Sequence, residues 1–204
     1  MRPVQPDRVY GFVIATENRQ TWKTPAIVLV AGCLISAVGF GARSGMGLFL
    51  DPMTVELGWN RETYALAMAL QNIAWGICLP IAGAAVDRYG SVWVIAGGAV
   101  IYALGFWGMA ISDTGGMLYL TGGVLSGAGI ACTSFTLAIA AMVRAVGPER
   151  RSLVMGLGTA AGSVGQIVFS PFAQGMIGQF GWSNGLLIMG ACTLCIIPLA
   201  LLLP

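Results

Sequence analysis

The stretch Leu79-Pro80-Ile81-Ala82-Gly83-Ala84-Ala85-Val86-Asp87-Arg88-Tyr89-Gly90 has a counterpart 91 residues later, Ser170-Pro171-Phe172-Ala173-Gln174-Gly175-Met176-Ile177-Gly178-Gln179-Phe180-Gly181. Pro80 aligns with Pro171, Ala82 with Ala173, Tyr89 with Phe180 and Gly90 with Gly181. Each stretch closes a long apolar run. A helix in lipid tolerates proline and glycine inside such a run, because neighbouring helices satisfy the freed backbone groups. The pair reads as one helix end occurring twice.

Working outward, apolar runs of about 20 residues, enough to cross a bilayer, recur six times. They cover about 25–50, 63–85, 92–112, 117–143, 153–177 and 184–203. The shift of 91 residues carries the first run onto the fourth, the second onto the fifth and the third onto the sixth. The predicted fold is an all-α membrane protein, a bundle of six transmembrane helices over 25–204 built as a 3+3 inverted repeat. An odd number of spans per copy reverses the second copy in the bilayer, the arrangement of many secondary transporters. Pro25 suits a first helical turn. Asn60 reads as an N-cap, with Glu62 favoured by the helix dipole. The first run is too long for a cleaved signal peptide, and a second span follows it directly.

Composition agrees. The chain has 204 residues, 57% hydrophobic and 9% charged, with a mean hydropathy of +0.82. Soluble domains carry roughly a quarter charged residues, so a soluble enzyme is excluded. Net charge is +2, which gives no footing for nucleic acid as a partner. No histidine is present, which removes the commonest metal ligand and proton shuttle. Cys33, Cys78, Cys132, Cys192 and Cys195 all fall in apolar segments and read as small packing residues. The CxxC at Cys192 and Cys195 lies mid-helix, away from any redox or zinc context. Gly156, Gly158 and Ala161 match G-x-G-x-x-A without the strand that motif needs. No metal and no cofactor is expected. No pair of intramembrane carboxylates and no nucleophile–base set exists, so no enzyme is expected either.

Basic residues set the orientation. Arg2, Arg8, Arg19, Lys23, Arg88, Arg144, Arg150 and Arg151 fall on one side, Arg61 on the other, and Arg43 within the membrane. The N-terminus is therefore expected in the cytoplasm, with 1–24 as a cytoplasmic tail and the cell (inner) membrane as the location. Trp22, Trp59, Trp93 and Trp182 fall at expected interfaces, whereas Trp75 and Trp107 do not.

Polar residues within spans mark paths or helix contacts. Ser36, Arg43 and Ser44 lie in the first span, Gln71 and Asn72 in the second, and Thr121, Ser126, Thr133, Ser134 and Thr136 in the fourth. In the fifth, Thr159, Ser163, Gln166, Ser170 and Gln174 form one helical stripe. That stripe is a cavity wall or a line of interhelical hydrogen bonds; both readings stand. Spans three and six hold few polar residues. Spans one, two, four and five are expected to be central, and three and six to face lipid. Gly41/Gly45, Gly123/Gly127 and Gly158/Gly162 are packing notches. Arg43 shares a small, polar face with Ser36, Gly39 and Gly47. It serves either as a bidentate cation for a carboxylate or as a snorkelling side chain, since Leu50 is only roughly 10 Å further along the axis. The small polar face favours the first.

The segment Gly83-Ala84-Ala85-Val86-Asp87-Arg88-Tyr89-Gly90 resembles the G-x-x-x-D-R-x-G loop signature of the major facilitator superfamily, at its usual place between the second and third spans. The resemblance implies a conformational gate at Gly83, Asp87, Arg88 and Gly90: glycines for close packing and a tight turn, charges that latch one state. The family usually continues with basic residues where Ser91, Val92 and Trp93 stand. Many members place an Arg in the fourth span to pair with the loop Asp, where this sequence has Gly123.

A narrower resemblance covers most of the chain. Phe40-Gly41-Ala42-Arg43-Ser44-Gly45 and Gly58-Trp59-Asn60-Arg61 look like the first hairpin of monocarboxylate and oxalate–formate-type carriers. Arg150-Arg151-Ser152-Leu153, Gly162-Ser163-Val164-Gly165, Pro171 and Phe180-Gly181-Trp182 look like their fifth span, with Ser183 where the family usually has Arg. Those carriers place a basic residue where Arg43 stands, to bind the anion or couple a proton. The resemblance implies a small organic anion as substrate, with Arg43, Asn72, Gln166 and Ser170 binding it. It also implies about twelve spans in two bundles. The sequence therefore reads as the N-terminal six-helix half of such a carrier, expected to work with a second half or a second copy. The alternative is a membrane protein without transport activity that acts only as an interaction partner.

Overall fold

The computed structural model describes residues 24–203. The expected tail, apart from Thr24, lies outside the described residues, as do Trp22 and four of the basic residues used for orientation. All the regular structure among the described residues is helical.

Pro25 opens α1 (Pro25–Gly45). A 3-10 turn (Met46–Phe49) leads into α2 (Leu50–Leu57), so the first run stays helical beyond the expected boundary at 50. Asn60 precedes α3 (Arg61–Tyr89) as expected, but its backbone carbonyl, not its side chain, accepts the Thr63 N–H at 3.0 Å. Next come α4 (Ser91–Ala110) and α5 (Gly115–Leu118), the latter capped by the Thr114 hydroxyl. A π-helical turn (Tyr119–Leu125), α6 (Ser126–Cys132) and α7 (Phe135–Val146) make up the fourth run. The chain closes with α8 (Arg151–Leu194) and α9 (Ile196–Ala200).

Five helical stretches among the described residues are long and apolar enough to cross a membrane. The last, Arg151–Ala200, is interrupted at Gly181, whose backbone (φ 80°, ψ 167°) is not helical. Gly90, between α3 and α4, adopts nearly the same conformation (φ 88°, ψ 157°). A side chain is strained there, which explains glycine at both positions.

Contacts order the two ends of the bundle. Asp51 pairs with Arg61 at 2.8 Å, and the Trp182 indole N–H donates to Glu56 at 2.6 Å at one end. Asp87 pairs with Arg144 at 3.3 Å at the other. Between the ends the buried side chains form two apolar clusters. One holds Phe49, Tyr64, Phe106 and Leu186; the other holds Val28, Ile35, Ile95 and Met142. The change from one to the other falls between Val38 and Ala42 on α1, and between Ile130 and Cys132 on the fourth run.

Small residues set how closely the helices approach. A Cβ at Gly165 would lie 2.0 Å from the Ala37 carbonyl oxygen, and one at Gly98 would lie 2.3 Å from the Cys132 Cβ. The notches at 41/45, 123/127 and 158/162 all meet a neighbouring helix. Burial within the described bundle differs between the spans. The second span has the smallest buried share, 22%, whereas the third matches the first at 44%. Gly98, Gly105 and Gly108 bring α4 against Cys132, Ser126 and Thr121. These glycines let α4 pack closely on the fourth run. Trp182 is no interfacial anchor: it is buried in the core.

Candidate substrate-binding site

Arg43 sits on α1 just past the change of cluster. Its Nη2 donates to the Asn72 side-chain oxygen on α3 at 2.7 Å. Its guanidinium carbon lies 5.1 Å from the centre of the Trp75 ring and 6.0 Å from that of Phe40. Aromatic faces attract a cation electrostatically, so the charge is held between α1 and α3 instead of reaching along α1 towards the headgroups. The structure thus favours the fixed-cation reading over snorkelling. Arg43 and Asn72, expected together, are together.

Ser170 joins the same region through its neighbour: its hydroxyl is 3.1 Å from that of Ser44. Ser170 also donates to the Gln166 carbonyl at 2.8 Å. Both Gln166 and Ser170 are half-buried. Thr159 and Ser163 turn their hydroxyls back to carbonyls four residues earlier on α8. In the stripe, these three hydroxyls bond within their own helix, and Ser170 also reaches across to Ser44. Thr159 and Ser163 line an 90 Å³ hollow with Phe40 and Phe135, and Thr159 also lines a 410 Å³ groove with Thr136 and Arg151. The cavity-wall reading gains, and the interhelical one is confined to Ser170. Gln71 differs from Asn72 beside it. It is buried and donates to the Gly122 carbonyl at 3.1 Å, a structural tie to the fourth run.

The fourth run is broken mid-depth. Thr133 (φ −100°, ψ 12°) and Ser134 (φ −61°, ψ 146°) leave the helical region between α6 and α7. The Thr133 hydroxyl donates to the Gly129 carbonyl at 2.9 Å, the local competition with the helix ladder that these residue types supply. Among the described residues, four buried side-chain polar atoms lack a partner: Arg43 Nε, Trp75 Nε1, the Tyr102 hydroxyl and the Ser134 hydroxyl. Tyr102 lies within electrostatic range of Arg43.

At the loop, Asp87 pairs with Arg144 at the end of α7, while Arg88 stacks on the Tyr89 ring at 5.4 Å. The position aligned to the family's fourth-span Arg needs correction. Gly123 packs on Ala67 and Leu70, roughly 25 Å along α3 from Asp87 at 1.5 Å per residue. No side chain at 123 could reach the loop, and Arg144 makes the contact. A Cβ at Gly83 would meet nothing within 4 Å among the described residues. Gly90 supplies the tight turn.

A sequence model of the Major Facilitator Superfamily matches residues 32–204. The chain belongs to this superfamily. Among its relatives, human Monocarboxylate transporter 11 is 31% identical over 179 residues, covering 87% of this chain and 38% of its own. Rat Monocarboxylate transporter 13 is 27% identical over 184 residues, covering 87% and 41%. Monocarboxylate transporter 12 of Xenopus laevis is 32% identical over 183 residues, covering 85% and 39%. The chain thus spans about two fifths of the length of these relatives. As a superfamily member with long apolar helices, it is an integral, multi-pass membrane protein.

Sequence reasoning did not place Phe40 and Trp75 beside Arg43, or Arg144 beside Asp87. Phe40 lies one turn before Arg43, and that spacing was the available signal. Trp75 had none beyond falling mid-span, away from the aromatic belts. Arg144 looked like one more cytoplasmic charge.

Proposed function

We propose that this chain is the N-terminal six-span bundle of a secondary active transporter for small organic anions such as monocarboxylates. Its spans form two inverted triplets, with the N-terminus in the cytoplasm. A second six-helix half, or a second copy, completes the cavity, and the bundles rock about a mid-membrane site. Arg43 holds the carboxylate, and Asn72, Gln166 and Ser170 line its place. Asp87 and Arg144 latch one state at the loop formed by Gly83, Arg88 and Gly90.

The observation that carries this reading is the Arg43 cation, fixed at mid-depth by Asn72, Phe40 and Trp75, with one buried N–H unspent. The monocarboxylate transporters among the relatives support the substrate class. The repeat is supported by the glycines of positive φ: Gly58 and Gly90 in the first half, Gly147 and Gly181 in the second.

The test is uptake of labelled lactate by proteoliposomes carrying the protein expressed from its complete reading frame. Wild type should take up lactate, and Arg43→Ala should lose uptake. Equal rates would remove Arg43 from the mechanism.

A further inference from the structure

The break in the fourth span is not accounted for by the Arg43 site. The helix α7 is 12 residues long and starts at mid-depth, where the two apolar clusters meet. The first amides of a helix have no partner within it. Here Leu137 and Ala138 already donate to the Ser134 carbonyl, at 3.1 and 3.2 Å, which leaves the Phe135 and Thr136 amides as the unspent donors of that turn.

A side-chain cap would normally serve those amides. Ser134 occupies the capping position but its hydroxyl makes no capping bond. The residue is 4% exposed, and the hydroxyl has no partner at all. An unpaired hydroxyl buried in hydrocarbon is costly. So three donors meet at one helix start, where the dipole favours negative charge.

The residues that follow Ser134 border a groove, although Ser134 itself is buried and does not line it. Phe135 and Thr136 line the groove of about 410 Å³ whose far end carries Arg151. Phe135 and Thr159 are shared with the smaller hollow that ends on Phe40. The Phe40 and Phe135 rings are 5.3 Å apart, edge to face, and Phe40 is the ring beside Arg43. The groove, the helix start, the ring pair and Arg43 therefore follow one another.

We propose that the break at Thr133–Ser134 is a second anion position, separate from Arg43. It takes a small carboxylate on the Phe135 and Thr136 amides and the Ser134 hydroxyl, on the way between Arg151 and Arg43. The proposal rests on the transport reading for its purpose, but its binding test does not.

The experiment is a saturation-transfer NMR titration of acetate against the chain in lipid nanodiscs. Ser134→Ala should weaken acetate binding roughly tenfold, the scale of one hydrogen bond to a charged group. Ser134→Thr keeps the hydroxyl and should bind as wild type does. Phe135→Pro removes one amide at a helix position that accepts proline, next to a Ser134 backbone already in the extended form proline requires. It should bind more weakly than Phe135→Leu, which loses only the ring. Arg43→Gln should leave a component of binding that still depends on Ser134.

If Ser134→Ala and Phe135→Pro titrate like wild type, the second position is overturned. Loss with Arg43→Gln alone would overturn it too, yet leave the Arg43 site standing. Absence of saturable binding in the wild type would also overturn it. Binding that depends on Ser134 in a protein that fails to take up lactate would keep the anion position and remove the transport reading.

Discussion

At the scale of a residue, Arg43 shows why charge alone does not describe a site. Its guanidinium makes one bond to Asn72 and lies against two aromatic rings. An ammonium could keep the charge but could not present a planar fork while stacked. Arg43→Lys should therefore cut the initial rate of lactate uptake by roughly tenfold, the worth of one charge-assisted bond. Unchanged uptake would mean that the fork is not used. Trp75 gains its meaning from the same contact. Its position in the second span fits no interfacial belt, and only the fold brings its ring within 5.1 Å of the cation.

At the scale of an element, the helices are held by backbone approaches that only glycine permits. Gly165→Ala would push a methyl into the Ala37 carbonyl on α1. Overpacking of this kind costs about 1–3 kcal/mol, so thermal unfolding in detergent should fall by several degrees. Gly83→Ala meets open space and should unfold at the wild-type temperature or slightly above, since alanine is the better helix former. Equal loss in both variants would show that the gap at Gly83 is closed in the folded protein. The long apolar helices and the turns at Gly90 and Gly181 were legible in the sequence, because run length and glycine position fix them locally. The Arg43–Asn72 pairing was legible as chemistry, since both are costly in lipid and must meet protein. What was not legible depends on crossing geometry. Gly98, Gly105 and Gly108 bury α4 although it is poor in polar residues. The break at Thr133–Ser134 was visible only as two more small polar residues, because a run of such residues does not say where the helix ladder yields.

At the scale of the whole molecule, charge separates the two ends. Among the described residues, the end with the Asp87–Arg144 pair also carries Arg88, Arg150 and Arg151, whereas the end with Asp51–Arg61 carries Glu56, Glu62 and Asp113 and has Arg61 as its single basic residue. Both ion pairs are exposed, so each adds at most about 1 kcal/mol to stability. Their weight lies in which state of the bundle they favour and in which side they mark. Positive residues remain in the cytoplasm, so the proposed orientation puts the Asp87–Arg144 end on the cytoplasmic side. Single cysteines at the exposed positions Glu62→Cys and Asp113→Cys should react with a membrane-impermeant maleimide added to intact cells. Tyr89→Cys and Ser152→Cys should react only after the cells are permeabilised. The four positions test the inverted repeat as well as the orientation, because 89 and 152 belong to different triplets. Finding those two on opposite faces would leave an odd number of crossings between them, and two mirrored sets of three helices could not be threaded through the bilayer.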